Sequence, residues 1–177
     1  MNSSRNIRTI TRTAVAVSAL LLAGVTLSGC SALQDLLRAE PEAVRDESGR
    51  VVEGGENDVF SIEVGDCVTQ DVSAEAEEVS AVPVVPCSEP HDLEVYAEFT
   101  IDGEEYPGDE QADTLATEGC LAEFGEFVGL SYEQSALDYT FYRPTEESWN
   151  EADDRLVSCL VGDPAGQVSE SLKGAAR

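Results

Sequence analysis

Apolar and polar residues alternate most cleanly over "DLEVYAEFTI", residues 92–101. Leu93, Val95, Ala97, Phe99 and Ile101 fall on one side, and Asp92, Glu94, Tyr96, Glu98 and Thr100 on the other. A period of two sustained over this length predicts a half-buried strand with one wet face. "VFSIEVGDCV" (59–68) alternates through Phe60, Ile62 and Val64 and predicts the strand that opens the domain, with Gly65-Asp66 as a bulge or bend. "AVPVVPC" (81–87) is rich in β-formers, but its two prolines cannot donate to a ladder and demote it to an edge or irregular strand. "LDYTFY" (137–142), with Leu137, Tyr139 and Phe141 inward, and "RLVSCLV" (155–161) predict two more strands.

The period changes once. Asp109 is placed to cap a helix over about 110–128, in which Leu115, Leu121, Phe124 and Val128 share a stripe and Gly129 is the stop. Polar segments separate these elements: "DVSAEAEEVS" (71–80) as an acidic loop or short helical piece, "DGEEYPGDE" (102–110) as a turn-rich loop, and "TEESWNEADD" (145–154) as a polar loop around the lone Trp149. The chain from Gly162 onward reads as frayed. One principal helix with several mainly antiparallel strands predicts a small α+β domain.

The N-terminal end follows another pattern. Residues 1–13 carry Arg5, Arg8 and Arg12 and no acid, and "AVAVSALLLAGVTL" (14–27) is an apolar run closed by Ser28-Gly29-Cys30. Basic, then apolar, then small residues is the plan of a signal peptide, with an apolar core shorter than the roughly 20 residues of a membrane-spanning helix. Leu27-Ser28-Gly29-Cys30 resembles the lipobox of bacterial lipoproteins. That resemblance implies a diacylglyceryl group on the Cys30 thiol and cleavage that leaves Cys30 first in the mature chain. Residues 31–57 mix charges with Pro41, Gly49, Gly54 and Gly55 and lack aromatics, which predicts a flexible acidic tether. The expected organisation is a signal peptide at 1–29, a lipidated cysteine and tether at 30–57, a folded domain at 58–174 and a tail at 175–177. The expected location is the outer face of the cell membrane.

Charge narrows the partners. The 177-residue chain is 42% hydrophobic, enough for a real core, and carries a net charge of -26. Loss of residues 1–29 removes three arginines and no acid, so the mature chain stands at -29. Such a surface repels nucleic acid and anionic headgroups, which excludes a nucleic-acid role and leaves the N-terminal lipid as the contact with the membrane.

With Cys30 assigned to lipid, Cys67, Cys87, Cys120 and Cys159 remain. An even number in an exported chain predicts two disulfides. Three pairings are open, and Cys67–Cys87 with Cys120–Cys159 is favoured: it joins the first two β segments and ties the helix to the last strand. Their spacings lack the Cys-x-x-Cys pairs of a structural zinc site, so no metal or other cofactor is expected.

Several landmarks fall in a recognisable order: Val64-Gly65-Asp66-Cys67, then "VPCSEPHDLEV" (85–95), Tyr106-Pro107-Gly108 and Cys120. Pro144, Trp149, Asp154-Arg155-Leu156-Val157-Ser158-Cys159 and Ser171-Leu172-Lys173-Gly174 follow. This series resembles the septum-formation domain family of actinobacterial secreted and membrane-anchored proteins, over about 59–174. The family often has Gly-Asp before the arginine, whereas this chain has Asp153-Asp154. The resemblance implies a link to division or the septal cell wall and no catalytic mechanism.

Chemical candidates are few. His91 is the only histidine, and a neutral-pH base is the obvious role for it. In a strict strand, however, His91 and Asp92 point to opposite faces, so they do not form a dyad. His91, Asp92, Glu94 and Trp149 are instead candidates for contact with a partner, and Trp149 with Tyr106 and Tyr142 suits a sugar- or peptide-binding surface. No nucleophile elbow or Ser-x-x-Lys occurs, and the acidic loops do not fit a calcium-binding loop. The expectation is a non-enzymatic, lipid-anchored accessory factor of cell-envelope assembly or septation, whose partner is an envelope protein or cell-wall glycan. The competing readings are a wall-polymer hydrolase using acids or His91, and an inert spacer.

Overall fold

The computed structural model describes residues 41–69 and 79–177. Cys30, the signal segment and most of the acidic stretch 71–80 lie outside the described residues. The strands are β1 (Val44–Arg45), β2 (Val51–Glu53), β3 (Gly55–Asp58), β4 (Cys67–Val68), β5 (Ala81–Val85), β6 (Leu93–Thr100), β7 (Asp138–Tyr142) and β8 (Leu156–Gly162). The helices are α1 (Asp109–Val128) and the short α2 (Glu146–Glu151). β1 and β2 form a hairpin, and the other six strands make one antiparallel sheet in the order β3-β5-β4-β6-β8-β7. The domain is α+β, with one principal helix and both favoured disulfides, Cys67–Cys87 and Cys120–Cys159.

β6 is the spine, and it differs from the simple alternating strand. Its pairing with β8 shifts register between Val95 and Ala97, which leaves Tyr96 as the extra residue of a bulge. A bulge swaps the faces that follow it. Leu93 and Val95 therefore pack with Ile62, Val68, Val82, Val84 and Leu160. Tyr96, Ala97 and Ile101, with Phe99 alongside, pack with Cys120, Phe124, Phe127, Val157 and Cys159 under α1. The expected wet face is wet only at its far end: Glu94 and Tyr96 are buried, Glu98 is half-buried and Thr100 is exposed.

α1 begins within a residue of the expected start and stops at Gly129, whose φ of 89° is the left-handed conformation a helix-ending glycine supplies. Its buried face is Ala112, Ala116, Cys120, Phe124 and Phe127, spaced three or four apart, whereas Leu121 points outward at 37% exposure. Small residues early in the helix bring its axis close to the sheet. The closest approach is Gly119, where a Cβ would lie 2.2 Å from the Phe99 ring.

Four other expectations change. Residues 59–68 do not form one strand: Asp58 accepts a hydrogen bond from the Phe60 N–H and caps a 3-10 turn at Val59–Ser61, and Phe60 and Val64 are each 52% exposed. β5 is not an edge strand, since it lies between β3 and β4. Pro83 is tolerated because its carbonyl accepts from Thr69 N–H and its missing donor falls past the end of the two-residue β4 ladder. The stretch around Trp149 is helical from Glu146 to Glu151, started by a reciprocal capping pair of Thr145 and Ser148.

The fourth concerns both ends. The expected tether holds β1, β2 and β3, pinned by an ion pair: Arg45 donates to both carboxylate oxygens of Asp66 at 2.6 Å each, and Asp66 is 3% exposed. Contact with Asp66 holds the Arg45 pKa above its ordinary value, against the opposing effect of burial. The expected frayed end is a strap, residues 163–177. Leu172 is 1% exposed, and the N–H groups of Gly174 and Ala176 donate to the carbonyls of Phe127 and Val128, which the end of α1 would otherwise leave open.

Candidate functional site

The "VVPCSEPHDLEV" stretch becomes a corner where β5, β4, β6 and the strap meet. Beyond β5 the chain turns, with the Glu89 N–H donating to the Pro86 carbonyl at 2.8 Å. Cys87 is stapled to Cys67 at the start of β4, and the Asp92 N–H donates to Val68 O. The corner is close-packed: a Cβ on Gly162 would stand 2.5 Å from the Asp92 carbonyl oxygen. The strap lies against it through a bridge in which His91 N–H donates to Val168 O at 2.9 Å and Val168 N–H returns to His91 O at 3.0 Å.

The candidate side chains here point inward. His91 is fully buried, with Nδ1 2.8 Å from the Glu89 carbonyl oxygen. A carbonyl only accepts, so Nδ1 holds the proton, and Glu89 contributes its backbone rather than its carboxylate. Glu94, 2% exposed, accepts from Ser171 Oγ at 2.7 Å and from the Leu172 N–H at 2.5 Å. Asp92 is half-buried and accepts from Gln167 Nε2 at 3.1 Å. Three of the four candidate contact residues therefore hold the strap, either by backbone or by carboxylate. Among the described residues, Cys67, His91 and Glu94 also form a group whose ligand atoms lie within 4.8 Å of one another.

Trp149 sits elsewhere. It is 2% exposed, its Nε1–H donates to the Glu104 carbonyl at 3.2 Å, and the Arg155 guanidinium stacks 3.6 Å from its ring centroid. Tyr106 meets it edge-on at 5.7 Å. Tyr142 packs, partly buried, on the other side of the sheet against the Leu93, Val95 and Leu160 cluster, so these aromatics do not share one surface.

Between α1 and α2 lies a shallow depression of about 720 Å³, lined by Asp109, Arg143, Thr145, Glu146, Glu147, Asn150 and Glu151. Arg143 organises it. Its Nε donates to Asp113 at 2.5 Å, and Nη1 donates to the Tyr106 hydroxyl at 3.1 Å and the Pro144 carbonyl at 2.9 Å. Burial pulls the Arg143 pKa down, but Asp113, Tyr106 and Asp109 together outweigh it and leave the value raised. The Tyr106 hydroxyl donates to Asp109 at 2.7 Å and lowers that carboxyl's pKa, with Arg143 adding to the effect. Four of the seven lining residues are acids, so the depression favours a cationic group.

The sequence reading did not single out Arg45, Arg143 or Ser171 as a working group. Ser171 did carry a signal, since Ser171-Leu172-Lys173-Gly174 ends the series of landmarks. The departure at Asp153-Asp154 also has a structural counterpart: Asp153 adopts φ 54°, the left-handed conformation that glycine enters without strain.

Among the described residues, no helix is long and apolar enough to cross a membrane. Comparison with curated proteins and with solved structures finds no match in either. A family model described as "Septum formation" matches residues 39–176, which takes in all the described strands and helices and almost all of the strap. The match indicates a role in septation and the cell envelope, and with the two disulfides it indicates an extracytoplasmic domain. This chain belongs to the septum-formation family.

Proposed function

We propose that the protein is a lipid-anchored, extracytoplasmic factor that acts by binding, as an accessory to cell-envelope assembly or septation, without catalysis of its own. The observation that carries this reading is the employment of the candidate side chains. His91, Glu94 and all four described cysteines are buried or bonded within the fold, where they hold the corner, the strap and the helix in place. Acids are abundant on the outward surface, which also holds the depression around Arg143. A partner suited to that surface presents cationic groups, on an envelope protein or on an amine-bearing cell-wall glycan. The acyl chains on Cys30 hold the domain at the membrane, and an acidic body stands off an anionic leaflet.

Affinity capture from envelope fractions, with the full chain as bait, is the test. A retained envelope protein or glycan that elutes with salt supports the reading; no retained partner contradicts it. Cys30→Ser examines the anchor separately. The wild-type chain is expected to carry the mass of the acyl groups on Cys30 and the variant to lack it, and a wild-type chain without that mass refutes lipidation at Cys30.

A further inference from the structure

Nε2 of His91 is buried and has no hydrogen-bond partner among the described residues. Buried polar atoms are nearly always paired, so an orphan lone pair calls for an explanation. Its orientation is set from the other nitrogen, because Nδ1–H donates to the Glu89 carbonyl. A histidine that gives one ring N–H to a backbone carbonyl and keeps the other nitrogen bare is arranged as metal-binding histidines are. The neighbours agree. A ring nitrogen of His91, Sγ of Cys67 and a carboxylate oxygen of Glu94 lie within 4.8 Å of one another, and all three residues are buried. Glu94 is in turn oriented by Ser171 and the Leu172 N–H. The Cys87 sulfur, bonded to Cys67, adjoins the same group.

We propose that reduction of the Cys67–Cys87 disulfide turns this corner into a zinc-class metal site, with Cys67, Cys87, His91 and Glu94 as its four ligands. Zinc holds thiolate sulfur at about 2.3 Å and nitrogen or oxygen at about 2.0–2.2 Å, so its donors stand roughly 3.3–3.8 Å apart. Cys67, His91 and Glu94, within 4.8 Å of one another, close by about an ångström, while the Cys87 sulfur moves off Cys67 once their bond is broken. While the disulfide is intact the two sulfurs carry no charge and the site is masked. A dithiol reductant unmasks it. One of its thiolates attacks Sγ of half-buried Cys87, the S–S bond breaks, and fully buried Cys67 leaves as a thiolate. The second thiol of the reductant then displaces Cys87 and closes a disulfide on the reductant, which supplies the two electrons. A divalent ion displaces the protons of the two cysteines into solvent and is held in addition by Nε2 of His91 and the carboxyl group of Glu94. The ion ties Glu94, and through it the strap, to the redox state of the corner.

One histidine in the chain makes the test direct. The full chain, labelled with 15N-histidine, is treated with a phosphine reductant and titrated with Co2+ and then Zn2+. The expected result is one equivalent of Co2+ with thiolate-to-metal absorption, displaced by Zn2+, and a shifted Nε2 resonance. The unreduced protein shows none of these changes. Ser171→Ala, which removes a donor to Glu94, weakens metal binding by about 10-fold. The proposal is overturned if the reduced chain retains no metal through gel filtration or if the oxidised chain binds it equally. It is also overturned if metal binds while the histidine resonances stay in place, which would assign the ion to thiols alone.

Discussion

The two faces of the sheet are built in different ways. Under α1 the core is aromatic and continuous: Tyr96, Phe124, Tyr132 and Tyr139 meet edge to face at 5.0–6.3 Å, and Cys120–Cys159 ties the helix to β8, between β6 and the edge strand β7. The opposite face is assembled from short pieces, with a small cluster of mostly β-branched side chains from β4, β5, β6 and β8. It leans on the Arg45–Asp66 pair and on Cys67–Cys87. Long elements bury enough apolar surface to hold one another; short ones need explicit ties.

Removing each disulfide breaks this comparison most strongly. Cys120→Ala with Cys159→Ala is expected to lose about 4 kcal/mol, and Cys67→Ala with Cys87→Ala about 3 kcal/mol, because the closed loops span 39 and 20 residues. Urea denaturation of the two double variants checks the order. A larger loss from the Cys67–Cys87 pair would show that the short-strand face depends on its staple beyond loop entropy.

Arg45→Ala follows. It leaves the buried Asp66 carboxylate with the Glu63 N–H but without its charged partner. A loss of about 2 kcal/mol is expected, together with faster amide exchange over β1 and β2. Unchanged exchange there would mean that the hairpin holds without the ion pair. Asp153→Gly acts in the other direction, relieving a left-handed aspartate at the entry to β8 at the cost of an exposed pair with Arg155. A gain of about 0.5–1 kcal/mol is expected in the same denaturation assay, and a loss would show that the Arg155 contact outweighs the backbone strain.

Glu98 gives the smallest effect and the clearest pH signature. Burial raises its pKa, so the folded state holds the proton more tightly than the unfolded state does. Its contribution is fully present below the unfolded value near 4.5 and is lost as pH rises through the folded value. Glu98→Gln should therefore gain on the wild type as pH rises toward 7 and lose that advantage in acid. Asp109, whose pKa is lowered, should behave oppositely: its contribution is present at neutral pH and is lost as pH falls. Thermal melts of Glu98→Gln and Asp109→Asn across pH 3–7 check both signs.

The same contrast explains what could be read in the sequence. The helix-bearing face was legible in outline because α1 is long and ends at a glycine and β8 is a nearly continuous apolar run, although Leu121 points outward from the expected stripe. The favoured cysteine pairing is present in full. The bulge at Tyr96 was not legible: an inserted residue leaves no mark in a run that alternates on both sides of it. On the other face, two-residue β4 and three-residue β2 are too short for any period, and Arg45 is one charge among many in an acidic stretch. The strap was missed because its hold on the domain comes from backbone groups, one leucine and two polar side chains, Gln167 and Ser171, whose partners lie 75 and 77 residues away. Of the candidate site, the corner was legible as a stapled turn, but the partner of Glu94 was not, because 77 residues separate it from Ser171.

The role in septation is tested most directly by imaging septa in a strain lacking this protein, complemented with the wild-type chain or with Cys30→Ser. A lipid-anchored septation factor predicts misplaced or delayed septa that the wild type restores and Cys30→Ser does not. Septa of normal position and timing in the deletion strain would contradict it.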